Sequence, residues 1–179
     1  GEMLPEEMIK VALAVECFHK ASLIHDDIED DDHERYGEST LHSAYGVAVA
    51  LNVGDLLIGE GYRMIASCET LSCEQKAEML LIASEGQREL CRGQGAELAW
   101  ARDPSPLKTA QVIEIFRQKT APAFGVALKT GASFAGKLKE FEPTLDAYSE
   151  ALGIAYQIKD DLDDLGEDSG MNKLERIRP

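Results

Sequence analysis

The sequence predicts an all-α fold, on three observations. Long stretches of Ala, Leu, Glu, Lys and Gln, all good helix formers, are interrupted by only six prolines. No segment shows the apolar/polar alternation of a half-buried strand. Helix-start chemistry recurs at spacings that suit long helices.

The first helix opens at Pro5, with Glu6 and Glu7 in its first turn where the dipole favours acids. It should run from about Glu6 into the acidic run near Asp30, and Tyr36-Gly37-Glu38-Ser39 should break it. A second should occupy about Thr40 to Ser67. Ser72 with Gln75 three residues on is a capping-box signature, opening a third helix towards Trp100. Asp103-Pro104-Ser105-Pro106 reads as a turn before a fourth, about Leu107 to Lys137, with Pro122 inside it as a kink point. Pro143-Thr144 should open a fifth, about Leu145 to Asp164, with Gly166 and Gly170 ending regular structure. No low-complexity linker interrupts residues 1–179, which read as a single domain.

Composition excludes several roles. Acids outnumber bases 33 to 18, a net charge of −15, which argues against a nucleic-acid surface and a basic membrane anchor. The apolar runs fall short of the ~18 residues a spanning helix needs. The segment Gly1-Glu2-Met3-Leu4 lacks the look of a secretory leader. Cys17, Cys68, Cys73 and Cys91 form no CxxC pair, against a zinc ribbon or a redox dithiol. A cytoplasmic, reducing setting is the expectation.

One acidic pattern occurs twice. Leu23-Ile24-His25-Asp26-Asp27-Ile28-Glu29-Asp30 and Tyr156-Gln157-Ile158-Lys159-Asp160-Asp161-Leu162-Asp163-Asp164 each place DDxxD at the carboxyl end of an apolar helix. Positions i, i+1 and i+4 share a side, so each triad clusters. Like charges at i,i+4 cost about 0.2–0.5 kcal/mol per pair, and the carboxyl end of the dipole adds to that. A positive partner is needed, and magnesium suits. It takes six oxygens, commonly one or two carboxylates with waters and substrate phosphates. Two triads facing each other would hold several such ions around a diphosphate and stabilise it as it leaves. A single DDxxD reads as a solvated helix end, whereas two copies with the same apolar lead-in point to chemistry. Calcium fails on spacing: EF-hand frames from Asp161 or Asp32 place Gly166 or Gly37 at position six, but Asn172 or Ser43 at twelve, where a bidentate acid belongs.

Phe18-His19-Lys20-Ala21-Ser22-Leu23-Ile24-His25-Asp26-Asp27, Arg35-Tyr36-Gly37, Gly54-Asp55, Lys119-Thr120 and Tyr156-Gln157 before the second cluster, in this order, closely resemble the trans-isoprenyl diphosphate synthases, or polyprenyl synthetases. The resemblance covers nearly the whole chain. It implies an isoprenoid-synthase-type helical bundle around a central cavity. It also implies a magnesium-dependent prenyltransferase that condenses an allylic diphosphate with isopentenyl diphosphate. About three magnesium ions per loaded site and a homodimer belong to the same expectation.

Residue by residue, the resemblance implies that Asp26, Asp27, Asp30, Asp160, Asp161 and Asp164 coordinate magnesium, with Asp31 and Asp32 as alternatives for the last ligand of the first set. Arg35 would contact the allylic diphosphate, a task that suits a guanidinium fork. Lys119 would clasp the diphosphate, while Thr120 and the Pro122 kink would aim oxygen dipoles at the developing carbocation. Gln157 matches the family glutamine, and His19 a histidine of the homoallylic site, although a structural histidine would look the same. His25, His42, Gln94 and Lys159 read as pocket-lining or packing residues. Product length should be set by how far the tail runs below the first aspartates. Ala21 and Ser22 leave that path open. Phe18, about 12 Å further along the axis, would be a floor or ordinary core, which suggests a geranylgeranyl-range product.

Two departures stand out. Tyr36 replaces the second of two adjacent arginines, and so cannot supply the charge that binds isopentenyl diphosphate. The family's basic Gly-Lys-x-x-Arg motif is absent and the chain stops at Arg178-Pro179, so amino- and carboxyl-terminal portions of the family pattern are missing; Lys173 is a candidate for a later phosphate-binding lysine. Two alternatives share the fold. A class I terpene cyclase would mix Asn, Ser or Thr and Glu in its second motif, which here is all Asp. A non-catalytic partner subunit of a prenyl synthase would be free to lose aspartates, and none is lost.

Overall fold

A computed structural model describes the backbone of residues 5–167 and the side chains of residues 5–162. Six helices and one short hairpin make up the described chain: α1 (Glu6–Glu29), β1 (Glu34–Arg35), β2 (Glu38–Ser39), α2 (Leu41–Tyr45), α3 (Val47–Ala66), α4 (Cys73–Arg102), α5 (Thr109–Phe134) and α6 (Leu138–Glu167). The architecture is all-α, as the composition predicts. Within the described residues no helix is long and apolar enough to cross a membrane.

Several boundaries follow from local chemistry. The capping box ahead of α4 closes both ways: Gln75 N–H donates to Ser72 Oγ at 3.1 Å, and Ser72 N–H donates to Gln75 Oε1 at 3.2 Å. At the end of α5, Gly136 takes φ +68 and the Lys137 N–H reaches back to the Ala132 carbonyl, a Schellman stop.

The structure corrects four expectations. The helix expected over about residues 40–67 is two helices. Gly46, at φ +87, donates its N–H to the His42 carbonyl to close α2, and its own carbonyl accepts from Ala50 to start α3. Only a residue at ease with positive φ can serve both ends at once. The break at Tyr36-Gly37 is a hairpin with register Glu34↔Ser39 and Arg35↔Glu38. Its two-residue turn has both φ values positive, at 56° and 81°, as a type I′ turn requires. Helix α6 begins about two turns before the expected start, with Pro143 inside it, which removes one backbone donor to the Lys139 carbonyl without ending the helix. That helix also continues through Gly166 to Glu167. Gly170 and Lys173 lie outside the described residues.

By compactness the chain divides into two units, Gly1–Ala83 with Lys129–Leu138, and Ser84–Leu128 with Lys139–Pro179. In the first, Val11, Ala14, Ile65, Cys68, Leu71 and Met79 form a buried cluster, with Phe18, Met64, Leu80 and Phe134 packed against it. Helices α1 and α3 pack closely because two glycines of α3 receive side chains of α1: the Phe18 ring lies where a Cβ on Gly61 would be, and the His25 ring does the same at Gly54. Stepping from 18 to 25 on one helix matches stepping from 61 to 54 on the other, so they run antiparallel. Phe18 also meets Tyr62 edge to face, with ring centroids 5.0 Å apart.

In the second unit, α5 is gripped at its backbone. A Cβ on Gly93 of α4 would sit 2.5 Å from the Gln118 carbonyl carbon and 2.8 Å from Lys119 Cα. From α6, a Cβ on Gly153 would sit 2.6 Å from the Ala121 nitrogen. Both approaches are closer than carbon contacts tolerate, about 3.5 Å, so only glycine fits.

Candidate active site

The first acidic set stands at the end of α1. Asp30 caps the helix, Asp31 turns left-handed at φ +55, and the Asp32 N–H bonds the Asp27 carbonyl at 2.9 Å. This is again a Schellman stop, with aspartate at the position that usually takes glycine. The reversal returns β1 over the helix end. Arg35 then donates from Nε to Asp27 Oδ1 at 2.6 Å and from Nη2 to Asp26 Oδ2 at 3.3 Å. Asp27 is buried and Arg35 and Asp26 half-buried, so this pair is charge-assisted and shielded. Burial works against the charge on Arg35, yet the hydrogen bond to Asp27 and the charges of Asp27 and Asp26 outweigh it and raise the guanidinium pKa.

One guanidinium therefore answers part of the like-charge repulsion that the sequence requires something positive to offset. Asp26, Asp27 and Asp30 offer carboxylate oxygens alone, with no nitrogen or sulfur donor, and that donor set fits a hard cation such as magnesium. Tyr36, beside Arg35, projects from the hairpin tip and is 88% exposed.

The second unit ties three of the predicted residues into one hydrogen-bonded chain. Thr120 Oγ1 on α5 donates to Gln157 Oε1 on α6 at 2.8 Å. Gln157, 8% exposed, donates from Nε2 to Asp161 Oδ1 at 2.9 Å. Gln157 and Asp161 are one helical turn apart, so the amide braces the carboxylate from below. Asp160 and Lys159 are exposed on α6. The backbone of Asp164 lies in α6, while its side chain is outside the described residues. Lys119 Nζ sits 2.6 Å from Glu97 Oε2 on α4.

Sequence reasoning missed Glu97. The available signal was its place one turn beyond Gly93 and Gln94, on the helix that packs against Lys119. It missed the glycine contacts entirely. Other predicted residues are placed as follows. His19 is exposed on α1, its carbonyl accepting from Ser22 Oγ at 2.8 Å. Ala21 is buried, Ser22 exposed, and Gln94 half-buried. His25 Nε2 is 3.6 Å from Asp55 Oδ1, so Gly54 and Asp55 both face α1: one receives the ring, and the carboxylate of the other stands beside it.

Comparison with known proteins places this arrangement. The family model for polyprenyl synthetase matches residues 2–174. The short chain isoprenyl diphosphate synthase of Methanocaldococcus jannaschii is 32% identical over 170 residues, covering 94% of this chain and 50% of that protein. The farnesyl diphosphate synthase of Haemophilus influenzae is 33% identical over 178 residues, covering 94% and 60%. Among solved structures, geranylgeranyl pyrophosphate synthetase from Pyrococcus horikoshii superposes with a TM-score of 0.82 at 31% identity, over 99% of this chain and 52% of that one. Geranyltransferase from Helicobacter pylori, complexed with magnesium and isoprenyl diphosphate, gives 0.82 at 27%, over 95% and 55%. The chain thus spans between half and three-fifths of the length of these relatives. Both acidic helix ends, the Lys119-Thr120 pair and Gln157 fall inside the matched segment, and the chain belongs to the polyprenyl synthetase family.

Proposed function

We propose that this chain carries the chemistry of a magnesium-dependent trans-prenyltransferase, which joins an allylic diphosphate to isopentenyl diphosphate. The observation that carries the proposal is the Thr120–Gln157–Asp161 chain. It ties a hydroxyl, an amide and an acidic-motif carboxylate into one fixed array, as a family member of this activity needs. The fold and relatives named farnesyl and geranylgeranyl synthases support the same reading.

The allylic C–O bond breaks, and its electron pair leaves with the diphosphate. The isopentenyl double bond then forms the new C–C bond, and one proton departs to the released diphosphate. Asp26, Asp27 and Asp30 in the first unit, and Asp160, Asp161 and Asp164 in the second, would each hold magnesium, which supplies charge neutralisation for the leaving group when bound. Arg35 orients Asp27 and Asp26 and offers its remaining N–H groups to phosphate oxygens. Lys119, poised on Glu97, supplies a movable positive charge for the diphosphate. The Thr120 oxygen stays fixed by Gln157, so its dipole costs no reorganisation as positive charge develops on carbon. An apolar lining would be needed to keep water from the cation.

Finer features belong to the same proposal: His19 in the homoallylic site, Lys159 beside the diphosphate, about three magnesium ions per loaded site, a single catalytic domain and a cytoplasmic homodimer. Phe18, with Ala21 and Ser22 above it, would set a geranylgeranyl-range product. The test is to incubate the chain with magnesium, isopentenyl diphosphate and allylic primers of increasing length, and to identify products by mass spectrometry. Elongated diphosphates are expected. A cyclised hydrocarbon would indicate a terpene cyclase instead, and no magnesium-dependent product would overturn the proposal.

A further inference from the structure

Beyond the acidic motifs, a second set of ligand-type side chains gathers where the hairpin meets α2. Asp31, His33 and His42 each bring one ligand atom, and all three atoms lie within 4.8 Å of one another. Asp31 Oδ1 is 3.9 Å from His42 Nε2, and Asp31 Oδ2 is 4.0 Å from His33 Nε2. The two rings stand 5.9 Å apart between centroids. His42 has a side chain only 7% exposed, and its Nε2 has no hydrogen-bond partner among the described residues, although a carboxylate faces it.

The surrounding hydrogen bonds orient both rings and fix the proton on His42 Nδ1. Thr40 Oγ1 lies 2.7 Å from the Asp32 carbonyl, which can only accept, so the Thr40 proton goes there. His42 Nδ1, 3.2 Å from the same hydroxyl, must then donate to it. Ser43 Oγ, 3.0 Å from Thr40 Oγ1, stands as an acceptor to that hydroxyl and lies 2.9 Å from His33 Nδ1, from which it can also accept. In its neutral form His42 turns a bare Nε2 lone pair towards Asp31, and His33 does the same when its Nδ1 donates to Ser43. Such lone pairs and a carboxylate around one point repel one another unless a proton or a metal ion stands between them. Histidines whose far nitrogens are oriented by hydrogen bonds are the usual supports of a bound metal.

We propose that Asp31, His33 and His42 form a binding site for a divalent transition-metal ion of the zinc class, with solvent completing the coordination. Two imidazoles and one carboxylate suit zinc, cobalt or nickel, whereas magnesium prefers oxygen ligands alone. Ligand atoms around a tetrahedral ion with bonds of about 2.0–2.1 Å sit about 3.3 Å apart. The two gaps to Asp31 exceed that by under an ångström and all three ligand atoms lie within 4.8 Å of one another, and the exposed Asp31 and His33 side chains can close the distances by rotation.

The test is a cobalt and zinc titration of the full chain in excess magnesium, which occupies the carboxylate motifs. One equivalent should bind, with a ligand-field spectrum of nitrogen and oxygen donors, and NMR signals of the His33 and His42 ring nitrogens should move while those of His19 and His25 stay put. His33→Ala and Asp31→Asn, both at exposed positions, should each weaken binding by about 10–100-fold; asparagine keeps the left-handed turn. The proposal is overturned by any of three results: no saturable binding under magnesium, an affinity unchanged in His33→Ala, or a thiolate charge-transfer band that assigns the ion to cysteine.

Discussion

Replacing Gly93 by alanine tests how α5 is held. In an open helix interior this change stabilises by about 0.8–1 kcal/mol, because alanine is the better helix former. At Gly93 the new methyl would stand 2.5 Å from the Gln118 carbonyl carbon and 2.8 Å from Lys119 Cα. Carbon atoms want about 3.5–4.0 Å. The shortfall is close to an ångström, against main chain that cannot rotate aside. Overpacking of this kind costs about 1–3 kcal/mol, here at the upper end. Gly95, on the same helix, has nothing within 4 Å of its would-be Cβ. Gly95→Ala is therefore an internal control: the propensity gain is common to both variants and cancels, leaving the collision alone. Urea unfolding should find Gly93→Ala less stable than Gly95→Ala by about 2–3 kcal/mol, with similar m-values. Turnover should fall in Gly93→Ala as Lys119 moves off Glu97. Equal stability of the two variants within about 0.5 kcal/mol would refute the reasoning.

Arg35→Leu strands the buried Asp27 carboxylate and should cost about 3–5 kcal/mol in chemical denaturation, with Arg35→Lys intermediate because it keeps the charge but loses the fork; equal stability of the two would count against the pairing. Gln157→Leu removes the acceptor for Thr120 and the donor to Asp161, so turnover should drop at least about tenfold, the equivalent of a contact worth about 1.4 kcal/mol; an unchanged rate would remove Gln157 from the site. Phe18→Ala should lengthen the product and lower stability by less than the about 3–5 kcal/mol of a fully buried phenylalanine; a product spectrum identical to wild type would rule Phe18 out as the floor. The Cys68 thiol donates to Glu7 at 2.7 Å and holds that carboxyl below its ordinary value of 4.5. A depressed folded-state value stabilises above the unfolded value and fades on acidification. Glu7→Gln should lower the thermal midpoint at neutral pH and flatten its pH dependence below about pH 4.5; a midpoint that matches wild type at neutral pH would count against the contact.

Much of this was legible in the chain itself, for identifiable reasons. The start of α1 and the Ser72/Gln75 box depend on residues within one turn of each other, and local chemistry decides them. The acidic sets announce themselves by repetition and charge. The hairpin is two residues per strand, too short for any alternation to register. Gly46 sits in a run of helix formers, and its positive φ depends on two helices sharing it. Pro143 looks like a start because proline favours first turns, yet the packing of α6 extends the helix past it. Arg35 reads locally as a surface residue. Only the reversal at Asp31 brings it eight residues back onto Asp27. The glycines are hardest of all: propensity counts them as weak points, and only a neighbouring backbone makes them points of contact.

The grip on α5 from both sides has a consequence for how chemistry is laid out on it. Helices that interlock through side chains must give up those side chains to the seam. Where main chain rests directly on glycine, the seam takes none of them. Residues 118–121 are thus anchored through their main chain, and an ammonium and a hydroxyl, each aimed by one polar partner, Glu97 or Gln157, can stand side by side on a rigid rod.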